Sequence, residues 1–371
     1  PSQVCGVVKN LDVDTYLEKK EARKLDRFSI LAMIASMEAM QDAGLENGNS
    51  IADPERFGVI MGNGIGGLDT LTEAYHSLFF KGAMRIHPLT IPKMICNIAP
   101  GNIAIKFNAQ GPCYAVVTAC ASGTDAIGSA FYAIKNDLTD VMICGGTEAP
   151  VTEIALGGFC TIQTLSRNFN NTPEKASRPF DKNRDGFVLA EGAGVLILEE
   201  LKLAKKRGAK IYAELISYGL SCDANHLTAP HPDGRGARQA IQMALNLAKM
   251  KAEDIDYINA HGTATPLNDP IETKAIKKVF GEQAKKLKVS STKSMTGHMI
   301  GGAGGFEAVV SIMALKDQFF PPTRNYETPD PECDLNYVPN KGYHGRIRAV
   351  MSNSLGFGGH NGILIFKEYQ D

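Results

Sequence analysis

Three short stretches carry the side chains that could do chemistry. Cys120 sits in TACASGTDAIG, where a β-branched run (Val116, Val117, Thr118) breaks into small residues and then into a helical pattern. His261 sits in NAHGTATPLND, at the end of the apolar run Tyr257–Ala260. Lys293 and His298 sit in STKSMTGHMIGGAGGFEA, again just after a strand-like run. A cysteine at a helix start meets unpaired N–H groups and a partial positive charge, which lower a thiol pKa. Ala119, Ala121, Ser122 and Gly123 leave room for a reactant beside the sulfur. The corner is built like a nucleophile elbow without the G-x-S-x-G of hydrolases. Each histidine alone reads as an ordinary structural residue; three such corners together read as covalent catalysis with partners. Cys96, Cys144 and Cys160 read as inert buried thiols.

Strand and helix patterns must position these corners. Strand-like runs (FGVIMG, YAVVTAC, DVMICGG, GAGVLILEEL) alternate with helical ones, and the second part of the chain does the same with KIYAELISYGL, DYINAHGT, KVSSTKS and RAVMSNSLGFGGHNGILIF. Ile30, Met33, Ile34, Met37 and Met40 follow the helical period. A helix is expected near 235–249, and another opening around Gly297–His298. That second helix would carry Glu307 nine residues after His298, within reach of Lys293. Its glycines (Gly301, Gly302, Gly304, Gly305) suit close packing against backbone or ligand rather than a lone helix.

The two parts rhyme. A strand at 114–119 leads into the Cys120 corner and is followed by DVMICGGTEA; a strand at 288–292 leads into the His298 corner and is followed by RAVMSNSLGFGGHNG. A duplicated α/β unit explains this, with halves at 1–208 and 209–371. The second half starts with a strand, 211–220, that the first half does not match. Its counterpart is expected before residue 1.

Bulk composition narrows the function. The chain has 371 residues, 44% of them hydrophobic, ample for a large core. A net charge of −1 gives no general attraction to nucleic acid or anionic membrane. No apolar run approaches a membrane span, and no signal peptide is visible. Eight scattered cysteines with no C-x-x-C pair argue against a zinc framework and suit a reducing intracellular setting. Gly62-x-Gly64-x-x-Gly67 follows a strand and matches a dinucleotide fingerprint, but His87 stands about 20 positions on, where an acid is required. That reading is rejected.

Taken in order, TACASGTDAIG, NAHGTATPLND, STKSMTGHMIGGAGGFEA and SNSLGFGGHNG resemble the elongating β-ketoacyl-acyl carrier protein synthases of type II fatty acid synthesis, over essentially the whole chain. The resemblance implies a thiolase-like five-layered αβαβα sandwich of two βαβαβαββ halves, homodimeric, with the first N-terminal strand and its Gly-rich loop absent from these 371 residues. It implies a decarboxylative Claisen condensation. Cys120 would be the nucleophile, and His261 and His298 would stabilise the enolate, serving decarboxylation more than acylation. Lys293 and Glu307 would form a supporting ion pair. The backbone of Phe357 would complete an oxyanion hole and its ring would gate the site.

Thr263 and Thr265 would bind pantetheine, and Ile65 and Phe159 would line the acyl pocket near the dimer interface. Lys20, Arg23, Lys24 and Arg27 would dock acyl carrier protein. No cofactor or metal is implied, and the compartment would be bacterial cytoplasm or plastid stroma. His360 stands where many members have Thr. A thiolase would need a second cysteine in 353–361, and there is none; an initiating synthase would have Asn for His298. A polyketide-type ketosynthase and an inactive or non-catalytic homologue remain as alternatives.

Overall fold

Two sheets, each built mainly of short apolar strands, sandwich one pair of helices. The computed structural model describes residues 1–46, 48 and 51–370. The first half contributes α1 (Arg27–Asp42), β1 (Phe57–Gly62), α2 (Leu68–Lys81), α3 (Ile98–Phe107), β2 (Cys113–Val116), α4 (Ser122–Lys135), β3 (Val141–Glu148) and β4 (Gly192–Glu199). The second contributes β5 (Glu214–Cys222), α5 (Arg235–Ala248), β6 (Tyr257–Asn259), α6 (Asn268–Phe280), β7 (Lys288–Ser290), α7 (Ala303–Asp317), β8 (Ala349–Gly356) and β9 (His360–Lys367).

The sheet orders are β2-β1-β3-β4 and β5-β9-β8-β6-β7. In each, two parallel pairings lie on one side and an antiparallel strand follows: β3 with β4, and β8 with β9. The orders match strand for strand except that β9 also pairs antiparallel with β5. The corresponding edge of β4 carries no strand among the described residues. An apolar groove of about 730 Å³ runs beside it, lined by Phe131, Ile134, Val195, Ile197, Ile211 and Met313.

α4 and α7 touch both sheets and form the central layer; α1 and α3 cover the first sheet, and α5 covers the second with α6 packed beside it. The core accordingly divides in three. Phe28, Met33, Phe57, Met61 and Ile103 fill the first outer layer. Ile60, Ile127, Met142, Tyr257 and Leu364 fill the space between the sheets. Ile241, Ile258, Ile276, Val289 and Ile365 fill the second outer layer. β1, β3 and β8 are buried on both faces, which is why their sequences run apolar without alternation.

The glycine run before and into α7 is answered by backbone, not ligand. A Cβ on Gly305 would meet Gly146 N at 2.3 Å and Gly194 O at 2.4 Å, and one on Gly123 would meet Gly305 N at 2.6 Å. The central helices approach each other and the first sheet where side chains are absent.

Several expected boundaries shift. β2 ends at Val116, so the corner is longer than a strand running to 119 would make it. Cys120 lies in a one-turn 3-10 helix, Ala119–Ala121, ahead of α4. His298 and Glu307 do not share a helix. A short helix, Lys293–Thr296, ends at Gly297; His298 is extended and exchanges backbone hydrogen bonds with Val188 and Ala190; α7 begins only at Ala303. Gly297, at φ +73°, is what breaks the helical path.

Candidate active site

Each half delivers its reactive residue on a strained corner. Ala119, just before Cys120, has φ +51°, and Ile300, just after the His298 segment, has φ +45°. A non-glycine residue in the left-handed region persists only where the surroundings hold it. Here the two corners brace one another across the central layer. Cys120, His261 and His298 are 8%, 3% and 2% exposed, and one donor atom from each lies within 4.8 Å of the others.

His298 places Nε2 3.0 Å from Cys120 Sγ. The rings of His261 and His298 stand perpendicular, with centroids 5.4 Å apart. Phe187 packs edge-on against His298 at 5.2 Å, and Phe159 edge-on against Phe187 at 5.4 Å. Phe159 therefore belongs to the apolar cluster that also contains Cys120, Leu165, Leu189 and Ile300.

Burial pushes the Cys120 thiol up to about 12, against the downward pull of Lys293 and of the Phe357 N–H, which points at the sulfur. Desolvation is the largest of these influences on the sulfur. A proton acceptor is required, and His298 Nε2 is in place. Burial first, then Lys293, holds both imidazoles well below the ordinary histidine value, so both are neutral at physiological pH.

Lys293 and Glu307 form a buried ion pair, both side chains 2% exposed. Burial pushes Glu307 up to about 7, with Lys293 opposing. Among the described residues, the Cys120–His261–His298 trio is the one group whose donors converge tightly enough to hold a metal ion. The Lys293 charge acting on both rings opposes a further cation there.

β8 carries the last corner. Phe357 follows it in the turn Phe357–Gly359, with Gly358 at φ +81° and exposed. Gly358 donates its N–H to Leu227 O at 2.7 Å, so the turn is held from outside. The Thr263 and Thr265 hydroxyls lie 3.1 Å apart beside His261. Ile65 is 36% exposed on the turn after β1.

The basic residues divide. Lys20, Arg23 and Lys24 are exposed and make no ion pair among the described residues. Arg27 is committed elsewhere: its guanidinium grips the buried Glu191 through Nε and Nη2, both at 2.5 Å. Arg27, whose side chain is 37% exposed, thus has an acidic partner that the other three lack.

Sequence reading missed Glu272. Its carboxylate accepts the N–H groups of His261 and Gly262 at 2.9 and 2.8 Å and the Asn353 amide at 3.2 Å, fixing the histidine's backbone. The available signal was an acid eleven residues after His261 on the following helix. Phe187 and Glu148 were missed as well.

Residues 4–204 match the family model described as beta-ketoacyl synthase, N-terminal domain, and residues 212–327 match the C-terminal domain of the same family. The chain belongs to the β-ketoacyl synthase family. The synthase is 52% identical over 365 residues to the 3-oxoacyl-[acyl-carrier-protein] synthase 2 of Synechocystis sp., covering 98% of this chain and 87% of that one. It is 49% identical over 367 residues to the protein of the same name from Staphylococcus aureus, covering 99% and 88%.

Among solved structures, a beta-ketoacyl synthase from Burkholderia phymatum superposes with TM-score 0.92 at 32% identity, covering 100% of this chain and 89% of that one. A type II polyketide ketosynthase, solved in complex with its acyl carrier protein, superposes with TM-score 0.88 at 36% identity, covering 93% and 85%. The synthase thus has the thiolase-like layered sandwich, and its family is one of acyltransferases.

Proposed function

We propose that this chain is a 3-oxoacyl-[acyl-carrier-protein] synthase of the second type, which extends an acyl chain by two carbons from malonyl-carrier protein. The observation that carries the reading is the 3.0 Å approach of His298 Nε2 to Cys120 Sγ, with the Phe357 N–H on the same sulfur. The near-50% identity to curated fatty-acid synthases, against 36% or less for the polyketide ketosynthases, favours fatty-acid elongation.

In the first stage Cys120 gives its proton to His298 and attacks the carbonyl of the acyl thioester. The C–S bond to the carrier's pantetheine breaks, the carrier thiolate takes the proton back from His298 and leaves, and Cys120 holds the acyl group. The N–H groups of Cys120 and Phe357 receive the tetrahedral oxyanion. In the second stage malonyl-carrier protein loses carbon dioxide. The electron pair of the breaking C–C bond moves into an enolate, whose oxygen accepts hydrogen bonds from the His261 and His298 imidazoles. The enolate carbon then attacks the acyl group on Cys120 and expels the cysteine sulfur. Neutral imidazoles suit this, since each, with its N–H turned to the site, offers one donor without an acidic proton to quench the carbanion; for His298 that is the other tautomer from the one that takes the Cys120 proton. Lys293, paired with Glu307, supplies the electrostatic setting for both rings.

Thr263 and Thr265 meet the pantetheine amides, and Phe159 and Ile65 line the acyl channel. Lys20, Arg23, Lys24 and Arg27 attract the acidic carrier protein. The halves 1–208 and 209–371 each supply one wall. A homodimer through the open edge of β2 accounts for the exposed Tyr114 and Val117 there. Intact-mass measurement after incubation with acyl-carrier protein tests the reading: one acyl increment is expected on wild-type enzyme and none on Cys120→Ala. An increment that survives Cys120→Ala overturns it.

A further inference from the structure

The fingerprint-like glycines at 62–67 bind no dinucleotide in this reading, yet their N–H groups are not idle. Glu148, the last residue of β3, is fully buried and has no ion-pair partner among the described residues. Its Oε2 accepts the N–H groups of Gly64 at 2.5 Å and Gly301 at 3.1 Å. Its Oε1 accepts those of Ile65 and Gly66, both at 3.2 Å. Successive backbone N–H groups turned to one point make a nest for an anion, and here the anion is a side chain of the protein itself.

The geometry ties three functional segments at one carboxylate. The turn at 64–66 carries Ile65. Gly301 lies three residues past His298, beyond the strained Ile300. A Cβ on Gly64 would meet Glu148 Oε2 and Ile300 Cγ2 at 2.9 Å and lie 3.5 Å from Ala119 O, so the same turn abuts the Cys120 corner. A Cβ on Gly301 would meet Gly64 N at 2.3 Å. Among the described residues, no side chain other than that of Glu148 holds the turn to the histidine corner through these N–H groups. Burial pushes Glu148 up to about 7 in spite of four N–H donors, so the group is held at some cost.

We propose that Glu148 is a positioning residue that locks the Gly64–Gly66 turn against the His298 corner and thereby sets how the acyl-channel wall at Ile65 meets the condensation site. The inference rests on the reading of Ile65 as part of that wall. It assigns Glu148 a role in acyl-chain selectivity, not in bond making.

Glu148→Gln is the decisive variant. Each oxygen serves two donors, so an amide in either orientation satisfies two N–H groups and turns its own NH2 against the other two. The turn is released from one side with no change in side-chain volume. Acylation of Cys120 is measured with hexanoyl- and palmitoyl-carrier protein on wild type, E148Q, I65A and the double variant.

The expected result is a change of about tenfold or more in the ratio of the two kcat/KM values for E148Q. Alkylation of Cys120 by iodoacetamide should stay within about threefold of wild type, and E148Q should add nothing in the I65A background. A parallel fall for both chain lengths, or a full E148Q effect on top of I65A, overturns the proposal. An unchanged ratio in I65A itself overturns the reading of Ile65 instead, so the two failures are told apart. Glu148→Asp keeps the charge but shortens the reach; it should move the ratio in the same direction, and it replaces E148Q in the same comparison if that variant does not fold.

Discussion

His298 Nε2 stands 3.0 Å from Cys120 Sγ, although 178 residues separate them in the chain. Desolvation makes this contact matter. Burial pushes the thiol up to about 12, and His298 Nε2 is the ring nitrogen within hydrogen-bond reach of it.

The two histidines should therefore separate in acylation. His298→Ala is expected to slow Cys120 acylation by about 10²–10⁴-fold, the usual range for loss of a general base. His261→Ala should keep acylation within a few-fold, and both variants should lose most carbon dioxide release from malonyl-carrier protein. Rapid quench with intact-mass detection reads the first step, and labelled carbon dioxide reads the second. Equal acylation losses in the two variants would contradict the assignment.

Burial of His261 links stability to pH. Its folded pKa lies well below the ordinary value, whereas the unfolded chain titrates near 6.5. Below about pH 6.5 the unfolded state binds more protons at this site, so its contribution is complete above that pH and declines as pH falls through it. Buried carboxylates such as Glu307 titrate in the same region, so the difference between wild type and His261→Asn isolates the histidine. The urea midpoint of wild type should drop more steeply than that of His261→Asn between pH 7 and 5.5. Parallel pH curves would show that His261 is not held neutral.

Breaking the Lys293–Glu307 pair from one side leaves a charge stranded in the interior. Lys293→Met should cost about 3–5 kcal/mol of unfolding free energy. Lys293→Met with Glu307→Leu should recover much of that loss, because no unpaired charge remains. Denaturant titration of wild type, Lys293→Met, Glu307→Leu and the double variant settles it, and strict additivity would mean that the pair is not coupled.

Gly358 combines φ +81° with an N–H bonded to Leu227 O. A Cβ there would lie 3.0 Å from His360 Nε2. Gly358→Ala should strain the Phe357 turn by about 1–2 kcal/mol. Condensation should slow about tenfold while single-turnover acylation of Cys120 persists. Equal slowing of both steps would show that the turn serves the cysteine alone.

Reversing charge at Arg23 and Lys24 should raise the apparent KM for acyl-carrier protein about tenfold, and the effect should shrink at high salt. An acyl-pantetheine mimic should be unaffected. Arg27→Glu should behave differently, lowering thermal stability, because it places like charges against the buried Glu191. Equal effects of Arg23→Glu with Lys24→Glu on both substrates would remove this patch from the docking surface.

What the sequence alone determined is considerable. Strand-to-helix punctuation placed Cys120, His261 and His298 at corners, and the repeat of that pattern marked a duplicated α/β chain. Local order carries such information because periodicity and glycine placement act over a few residues. Tertiary structure decided the rest. His298 left its expected helix because Gly297 breaks the path and strand-like bonds to Val188 and Ala190 capture the segment. Burial became the largest influence on the Cys120 thiol. Arg27 found a buried acidic partner in Glu191, Glu272 took the N–H groups of the His261 corner, and Glu148 became an anchor for N–H groups far away in the chain. Desolvation and long-range hydrogen bonds depend on which segments meet in space, and no short stretch of sequence records that.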